Sequence, residues 1–327
     1  MIILTGGAGM IGSMIAWHLN TILNENKFVI FDDLINQEQE KNINKRKFID
    51  LINKNDLSKY FKNNNKISAV IHMGAISSTI ESNFNKLLIS NIRYSQMLWS
   101  WCAENKVPFI YASSAATYGG GENGYNDDEN LLSKLTPLNA YGYSKHFFDQ
   151  WILSQIKLNQ PSPPQWCGLK FFNVYGPNEY HKDRMASVVF HAFEQYQEKK
   201  EIRLFKSANK NYKDGMQLRD FIYVKDAVEF VMFFLKNNHI SGLFNSGTGS
   251  AQSFNDLANA VLQNTKGDKS NIKYIDMPDD LKGKYQYYTE ATLDKISETG
   301  FNLQFKNLEE GVNDYMQNYL LTSDRYA

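Results

Sequence analysis

The hydrophobic positions of the chain form short, almost wholly apolar runs that are separated by longer stretches of mixed polarity. The runs at residues 2–5, 28–31, 69–72 and 109–112 predict strands, and residues 168–172 predict a fifth. Nearly continuous apolar strands are typical of a parallel sheet that is covered on both faces. The pattern therefore predicts a buried parallel sheet rather than a half-exposed antiparallel one.

Helical patterns alternate with these strands, most clearly at residues 10–25 and 87–104. This βαβ alternation predicts an α/β fold with a doubly wound parallel sheet, the Rossmann fold. After residue 173 the alternation weakens, although β-rich runs return at 221–224 and 242–245. We therefore predict a dinucleotide-binding domain of residues 1–173 plus about 218–246. A smaller, interleaved α/β substrate-binding domain would take about 174–217 plus 247–327.

A glycine-rich turn, TGGAGMIG, follows the first predicted strand and opens the first predicted helix. Gly6 permits the tight turn, Gly9 lets backbone N–H groups approach a pyrophosphate, and Gly12 allows the helix to pack closely on the strand. Asp32 comes 20 residues after Gly12, at the end of the second strand. This context predicts a nicotinamide dinucleotide as cofactor.

The choice between NAD and NADP stays open at this stage. Asp32 could accept hydrogen bonds from a ribose 2′-hydroxyl, which favours NAD. The cations that follow it could instead neutralise the 2′-phosphate of NADP; they are Lys41, Lys45, Arg46 and Lys47.

Two pairs in the chain have the Tyr-x-x-x-Lys spacing, Tyr141 with Lys145 and Tyr196 with Lys200. Residues at i and i+4 share one face of a helix. The ammonium of Lys145, together with a cationic nicotinamide ring, would lower the pKa of the Tyr141 phenol and make it a general base. Ser114, at the end of the fourth predicted strand, could bind the same reacting oxygen. Tyr196 lies in a polar run that is typical of a solvated helix face, so we interpret the second pair as a coincidence.

Composition excludes several other classes of protein. The 35 basic and 35 acidic residues give no net field that would attract nucleic acid or an anionic membrane. No apolar run approaches the ~20 residues that span a bilayer, and the amino terminus has no signal-peptide pattern, so a cytoplasmic location is predicted. The six histidines show no metal-ligand spacing, so no metal site is expected. Cys102 and Cys167 are interpreted as buried thiols.

The motifs TGGAGMIG, SSAATYGG and YGYSK, in this order, resemble those of the extended short-chain dehydrogenase/reductase superfamily along nearly the whole chain. The resemblance implies a catalytic triad of Ser114, Tyr141 and Lys145.

Further motifs narrow the resemblance to nucleotide-sugar epimerases that act on the C6″ carbon of an ADP-linked heptose. They are HMGAISST at 72–79, FFNVYGPNEYHKDRMASVVFH at 171–191, LRDFIYVKD at 218–226, FNSGTGSAQSF at 244–254 and PDDLKGKYQ at 278–286. The resemblance implies interconversion of the two ADP-heptose epimers for the lipopolysaccharide core, with tightly bound NADP and a homopentameric assembly. It also implies two acid/base groups, Tyr141 and Lys182, one for each orientation of the sugar.

The same resemblance implies two sets of binding residues. The cofactor would contact Met10, Ile11, Asp32, Asp33, Lys41, Lys54, Met73, Gly74, Ala75, Ile76, Ser77, Asn91, Tyr141, Lys145, Val174 and Lys182. The nucleotide sugar would contact Ser114, Asn173, Arg184, His191, Phe205, Lys206, Ser207, Ala208, Arg219 and Tyr285. One departure stands out, because Asp183 occupies a position where relatives commonly carry glycine.

Alternative functions remain at this stage. A UDP-sugar 4-epimerase or another nucleotide-sugar enzyme of the superfamily would share the triad but would not need Lys182. A 4,6-dehydratase is disfavoured, because Ala115 and Ala116 follow Ser114 where dehydratases usually carry Asp-Glu. A cofactor-sensing module without catalysis is also disfavoured, since the Tyr141–Lys145 pair is intact.

Overall fold

The computed structural model describes residues 1–63, 66–278 and 285–327, and its central feature is a seven-stranded sheet. The strands are β1 Ile2–Thr5, β2 Phe28–Phe31, β3 Asp50–Ile52, β4 Ala69–His72, β5 Phe109–Ser114, β6 Trp166–Phe171, β7 Asn173–Tyr175, β8 Ile202–Phe205, β9 Leu218–Tyr223, β10 Gly242–Ser246, β11 Ala251–Ser253 and β12 Ile272–Ile275. The large sheet has the order β10-β6-β5-β4-β1-β2-β3, and every pairing in it is parallel. The predicted doubly wound sheet is confirmed.

The direction of winding reverses at β1, which lies between β2 and β4. Leu4 is in register with Ile30 on one side and with Ile71 on the other. In open parallel sheets, ligands bind beyond the carboxyl ends of the strands at such a reversal. The glycine-rich turn that follows β1 lies at this position.

Eleven α-helices lie in the described part of the chain. They are α1 Met10–Thr21, α2 Gln37–Ile43, α3 Leu57–Asn63, α4 Phe84–Leu87, α5 Tyr94–Asn105, α6 Ala140–Lys157, α7 Val188–Lys199, α8 Val224–Lys236, α9 Phe254–Gln263, α10 Asp294–Ser297 and α11 Leu308–Tyr315. A π-helical stretch, Leu88–Arg93, joins α4 to α5, and a second one, Met316–Leu320, follows α11. Short 3₁₀ segments occur at Lys54–Asp56, Ala115–Tyr118, Glu129–Lys134, Tyr180–Met185, which is kinked at Asp183, and Lys269–Asn271.

Two small sheets lie outside the large one. β7 pairs with β9 in parallel and β9 pairs with β11 antiparallel, while β8 pairs with β12 in parallel. The β-run predicted at 221–224 begins earlier, at Leu218, and joins the three-stranded sheet, whereas the run at 242–245 becomes β10 of the large sheet. The division into two domains stays a prediction.

Helices cover both faces of the large sheet. Alternate residues of β1 enter different clusters: Leu4 packs in the cluster that contains α1 and α8, and Ile3 packs in the one that contains α5 and α6. Cys102 and Cys167 are free and buried, as predicted. No helix in the described ranges is long and apolar enough to cross a membrane.

The interpretation of Tyr196 as part of a solvated helix face is wrong. Its side chain is buried in the core near α9, and the amine of Lys200 lies 5.0 Å from the centre of its ring. Lys200 adopts the left-handed conformation that ends α7. The spacing therefore places a lysine over a buried ring, in the packed core rather than at the cavity beside the glycine-rich turn.

Candidate active site

The glycine-rich turn connects β1 to α1 with a backbone that side chains would obstruct. Gly6 has φ +68°, and a Cβ atom there would lie 2.4 Å from the backbone nitrogen of Gly74. A Cβ atom on Gly12 would lie 2.0 Å from the carbonyl oxygen of Gly6. Gly9 caps α1 without any side-chain hydrogen bond to the first turn of the helix. The first turn therefore keeps backbone N–H groups that an anion can use.

A cavity of about 480 Å³ opens beside this turn, at the carboxyl ends of β1, β2 and β4. Fourteen of its lining residues belong to the set predicted from the sequence: Gly6, Gly9, Met10, Ile11, Gly12, Asp32, Asp33, Lys54, Met73, Gly74, Ala75, Ile76, Ser77 and Lys182. The volume and the position suit an extended nucleotide cofactor.

Two carboxylates occupy the end of β2. Asp32 accepts hydrogen bonds from the backbone N–H groups of Ala8 and Asp33, each at 2.8 Å. Burial raises the pKa of Asp32, and these N–H donors oppose the rise. Asp33 forms an ion pair with Lys54 at 2.6 Å through Oδ2, while its buried Oδ1 has no hydrogen-bond partner in the described structure. An acceptor of this kind fits the hydroxyl of a ribose, so the residues present suit a dinucleotide.

Ser114 and Tyr141 meet at the start of α6. Ser114 ends β5, and Tyr141 lies in the first turn of α6, which Asn139 caps by accepting a hydrogen bond from the Gly142 N–H at 2.8 Å. The two hydroxyls are hydrogen-bonded to each other. Burial raises the pKa of the Tyr141 phenol, and the Ser114 hydrogen bond opposes this rise. The expected lowering is therefore not achieved by the protein's groups alone, because loss of water around the phenol is the larger effect.

Lys145 lies one helical turn after Tyr141 and is almost fully buried. Its Nζ donates a hydrogen bond to the backbone carbonyl oxygen of Ala112 in β5 at 2.7 Å. Burial lowers the pKa of Lys145 to about 8, while the negative charge of Asp149 opposes that shift. Ala112 itself lines the cavity, so its carbonyl group anchors the lysine at the cavity wall.

Lys182 reaches the same cavity from another part of the chain. It lies in the 3₁₀ turn Tyr180–Met185, and its Nζ is 3.4 Å from the sulfur of Met10, the first residue of α1. Burial lowers the pKa of Lys182, and the charge of Glu179 opposes the shift. Lys182 thus lines the cavity directly, whereas Lys145 reaches its wall through the carbonyl group of Ala112.

Comparisons with known proteins agree with this geometry. The sequence profile of the NAD dependent epimerase/dehydratase family matches residues 2–247. A protein from Fusobacterium nucleatum subsp. nucleatum called ADP-L-glycero-D-manno-heptose-6-epimerase is 51% identical over 336 residues, which cover 100% of both chains. The chain belongs to the ADP-L-glycero-D-manno-heptose-6-epimerase family.

Solved structures support the same assignment. The crystal structure of the Helicobacter pylori ADP-L-glycero-D-manno-heptose-6-epimerase is 28% identical, covers 97% of this chain and 95% of its own, and gives a TM-score of 0.80. The UDP-glucose 4-epimerase of Thermus thermophilus, solved in complex with NAD, is 21% identical, covers 96% of this chain and 97% of its own, and gives a TM-score of 0.76. This second likeness shows the fold alone.

Five residues predicted to contact the epimerase's cofactor lie outside the cavity lining: Lys41, Asn91, Tyr141, Lys145 and Val174. Asn91 supports the cavity wall, because its side chain both accepts from the Ile76 N–H at 2.8 Å and donates to the Ile76 carbonyl oxygen at 2.9 Å. Lys41 instead forms an exposed ion pair with Glu38 at 2.8 Å.

The residues predicted to bind the nucleotide sugar also lie outside this lining. Two of them form a cluster: the buried guanidinium of Arg219 lies 5.0 Å from the ring centre of Tyr285 and 5.7 Å from that of Phe254. The guanidinium also donates to the carbonyl oxygens of Leu218, at 2.8 Å, and Gln286. The motif predicted at 278–286 is described only at its two ends, since 279–284 lie outside the described residues.

The remaining members of that set are spread over several elements. Lys206 forms an ion pair with Asp276 at 3.1 Å, and the Ser207 N–H donates to Asp214 at 2.8 Å. Asn173 is in β7 and accepts a long hydrogen bond from Thr289, at 3.4 Å. The others are Arg184, His191, Phe205 and Ala208, on the 3₁₀ turn, α7, the end of β8 and the loop after it. Among the residues that the structure describes, no group of three or more His, Cys, Asp or Glu side chains could hold a metal ion.

Sequence reasoning missed several supporting residues. Asn42 in α2 donates to the carbonyl oxygens of Ala8, at 2.9 Å, and Asn178, at 3.0 Å, so it ties the glycine turn to the segment that carries Lys182. Its partners are 34 and 136 residues away in sequence, and no local pattern signals such a contact. Cavity-lining residues that were not predicted are Thr5, Phe31, Ile35, Gln39, Asn55, Ser78, Ile89, Ser90, Tyr94, Ala112, His181 and Met185.

Proposed function

We propose that this chain interconverts ADP-D-glycero-β-D-manno-heptose and ADP-L-glycero-β-D-manno-heptose by transient oxidation at C6″ of the heptose, with tightly bound NADP. The observation that carries the proposal is the convergence of Lys145, through Ala112, and Lys182, beside Met10, on one cavity. The names of the full-length relatives and the Tyr141–Ser114 pair support the same chemistry.

A nicotinamide dinucleotide held by the glycine-rich turn and the cavity-lining residues would supply the hydride chemistry. The chain's own residues handle the proton of the C6″ hydroxyl. In one orientation of the sugar, Tyr141 takes this proton while Ser114 binds the same oxygen and the Lys145 ammonium stabilises the phenolate. The role of Lys145 needs its protonated form. Because burial lowers the pKa of Lys145 to about 8, the population of this form falls above that pH.

A second acid/base group solves a geometric problem of this reaction. Epimerisation requires that the ketone present its opposite face before the hydride returns, so the oxygen points in a different direction in the second half. A single phenol would have to reach the oxygen in both directions from one fixed position on the helix. Lys182, on a different segment, would donate the proton in the second orientation, and burial, which lowers its pKa, makes this amine a better proton donor than an exposed lysine.

The finer details belong to the same proposal. Lys54, on the cavity wall beside Asp33, is the cation that would face a 2′-phosphate, which supports NADP, with NAD as the alternative. Lys41 could contact the same 2′-phosphate only if its ion pair with Glu38 were broken. Arg219 would bind the pyrophosphate of the sugar nucleotide, since a guanidinium can pair with two phosphate oxygens. A cytoplasmic homopentamer that serves lipopolysaccharide core synthesis completes the proposal.

The test uses the purified protein without added cofactor. Mass spectrometry of the nucleotide released on denaturation should identify NADP, and incubation with ADP-D-glycero-β-D-manno-heptose should yield the L-glycero epimer. Parallel incubation with UDP-glucose tests the alternative function of a 4-epimerase. Turnover of UDP-glucose without turnover of the ADP-heptose would overturn the proposal.

A further inference from the structure

Behind the catalytic helix lies a buried polar cluster that the proposed reaction does not use. Asp149, in α6, is fully buried and accepts three hydrogen bonds. Its donors are the Tyr111 hydroxyl at 2.8 Å, the Ser113 hydroxyl at 2.7 Å and the Lys170 ammonium at 2.7 Å. Tyr111 and Ser113 belong to β5 and Lys170 to β6, so a single carboxylate joins α6 to two neighbouring strands.

This cluster is connected to the catalytic residues on two sides. Asp149 follows Tyr141 and Lys145 at four-residue intervals, and the three side chains therefore share one face of α6. On the other side, Lys170 donates to the Thr117 hydroxyl at 2.9 Å, and Thr117 donates to the backbone carbonyl oxygen of Ser114 at 2.8 Å. The chain of contacts thus begins behind Lys145 and ends at the turn that carries the Ser114 hydroxyl.

Resting on the proposed function, we infer that Asp149 and Lys170 are positioning residues of the epimerase: their ion pair fixes α6 on β5 and β6 so that Ser114, Tyr141 and Lys145 meet. Lys170 and Asp149 are both almost completely shielded from water. A buried ion pair is a poor source of stability, because the lost hydration offsets most of the attraction. Its hydrogen bonds are directional, however, and so can fix the register of a helix on a sheet.

The cluster also affects the pKa values of Tyr141 and Lys145. The negative charge of Asp149 raises the pKa of Lys145, against the larger lowering by burial, and adds to the burial that raises the pKa of Tyr141. Removing that charge should therefore move both titrations to lower pH, and removing the Lys170 ammonium with it leaves a smaller shift in the same direction, because Asp149 is the charge of the pair that acts on both groups. Other titratable groups that face the cluster or Lys145 are His72, Tyr111, Tyr118, Asp127, Glu129, His146 and Lys170.

The test replaces both members of the pair at once, because either single change would leave a buried charge unpaired. Asp149→Asn with Lys170→Met keeps the size of both side chains and removes both charges. The matched control is Lys225→Met with Asp314→Asn, since that ion pair, at 2.8 Å, also receives a tyrosine hydrogen bond but links α8 to α11 away from the site. A second variant, Thr117→Val, breaks only the link between Lys170 and Ser114.

For Asp149→Asn/Lys170→Met we expect kcat to fall about tenfold to a hundredfold, the size of effect that small misplacements of catalytic groups produce. KM should stay within about threefold, and the kcat-pH curve should move to lower pH. The control pair should have the kcat of the wild type. In Thr117→Val, kcat should fall severalfold while KM stays unchanged. A wild-type kcat in Thr117→Val, an unmoved pH curve, or an equal loss in the control would overturn the inference.

One readout separates this inference from the proposed function. NMR of tyrosines labelled at the ring carbon that bears the hydroxyl, with Tyr141→Phe to assign the signal, follows the ionisation of Tyr141 without substrate. Wild-type protein that fails to convert the ADP-heptose would reject the function alone. Titration of Tyr141 at the same pH in wild type and in Asp149→Asn/Lys170→Met would reject the inference alone.

Discussion

The amine of Lys182 lies 3.4 Å from the sulfur of Met10, the first residue of the helix that follows the glycine-rich turn. Lys182 therefore rests on the same element that presents its N–H groups to the cofactor cavity. Tyr141 lies in the first turn of α6, which packs in a different core cluster from that helix. Lys182 lines the cavity and Tyr141 lies outside its lining, so the two groups that can exchange protons have separate supports.

Removing each of these two groups should abolish epimerisation by a different route. We expect Tyr141→Phe and Lys182→Met each to lower kcat by about a hundredfold to ten-thousandfold, the usual contribution of a positioned acid or base. Because each variant keeps one of the groups, each should still transfer hydride in one orientation. The measurement is the kcat for each epimer, together with the absorbance of reduced nicotinamide when substrate is mixed with the variant.

The control for this pair is Lys236→Met, which removes an exposed lysine at the end of α8 and should keep full turnover. If Lys182→Met also kept full turnover while Tyr141→Phe lost it, only one acid/base group would be in use. The 4-epimerase alternative would then gain support.

Lys145 should destabilise the folded protein at neutral pH, because burial lowers its pKa from 10.5 to about 8. Between pH about 8 and 10.5 the unfolded chain binds more protons than the folded one, so stability rises with pH in that window. Below pH about 8 the buried ammonium lowers the free energy of unfolding by its full amount, on the order of 3 kcal/mol. Lys145→Met should thus raise the free energy of unfolding at pH 7 while abolishing activity.

The measurement is urea unfolding of both proteins at pH 7 and at pH about 10. The advantage of Lys145→Met should shrink at the higher pH, where the folded wild-type lysine is neutral. An advantage that is constant with pH would show that burial of the apolar methionine side chain, rather than removal of the buried charge, controls the difference.

The sequence was sufficient for the parts of the structure that depend on local pattern. The apolar runs of β1, β2 and β4 have the predicted bounds. A strand that is buried on both faces is apolar at nearly every position, so its first and last residues can be read directly from the sequence. The glycine turn and Asp32 lie together as expected, since a strand, a turn and a helix in this order can fold in few ways.

Long-range contacts and solvation were beyond that reasoning. Asn42 donates a hydrogen bond to the carbonyl oxygen of a residue 136 positions away. Asp149 can accept hydrogen bonds from Tyr111 and Lys170 only after α6 has packed on β5 and β6. The raised pKa of Tyr141 depends on how much water the completed fold excludes, which residue spacing does not encode. A tyrosine and a lysine four residues apart define a helix face but not its environment, as the buried Tyr196 shows.

Arg219 should control the binding of the sugar nucleotide rather than the chemical step. Its planar guanidinium lies 5.7 Å from the ring centre of Phe254 and 5.0 Å from that of Tyr285, contacts that an ammonium would make poorly. We expect Arg219→Lys to raise KM for the ADP-heptose about tenfold to a hundredfold with kcat nearly unchanged. Arg203→Lys, at an exposed arginine that pairs with Glu201, is the control and should leave both constants unchanged. A fall in kcat with constant KM would place Arg219 in the chemical step.

The residue after Lys182 carries backbone strain that glycine would relieve. Asp183 has φ +46° and ψ −124°, a combination that a residue with a Cβ atom adopts at a cost of about 1–3 kcal/mol. Its side chain is exposed, so little packing is lost when it is removed. Asp183→Gly should therefore raise the free energy of unfolding by about 1 kcal/mol, after subtraction of the extra freedom that glycine gives the unfolded chain.

The comparison variant is Lys106→Gly, because Lys106 has φ +56° and ψ +42°, in the ordinary left-handed region, where the strain is smaller. We expect a smaller gain there, measured by urea unfolding under the same conditions. Asp183→Val should lose stability, since a β-branched side chain tolerates this backbone least. If Asp183→Gly were no more stable than wild type, Asp183 would not adopt this conformation in solution, and the approach of Lys182 to Met10 would need another support.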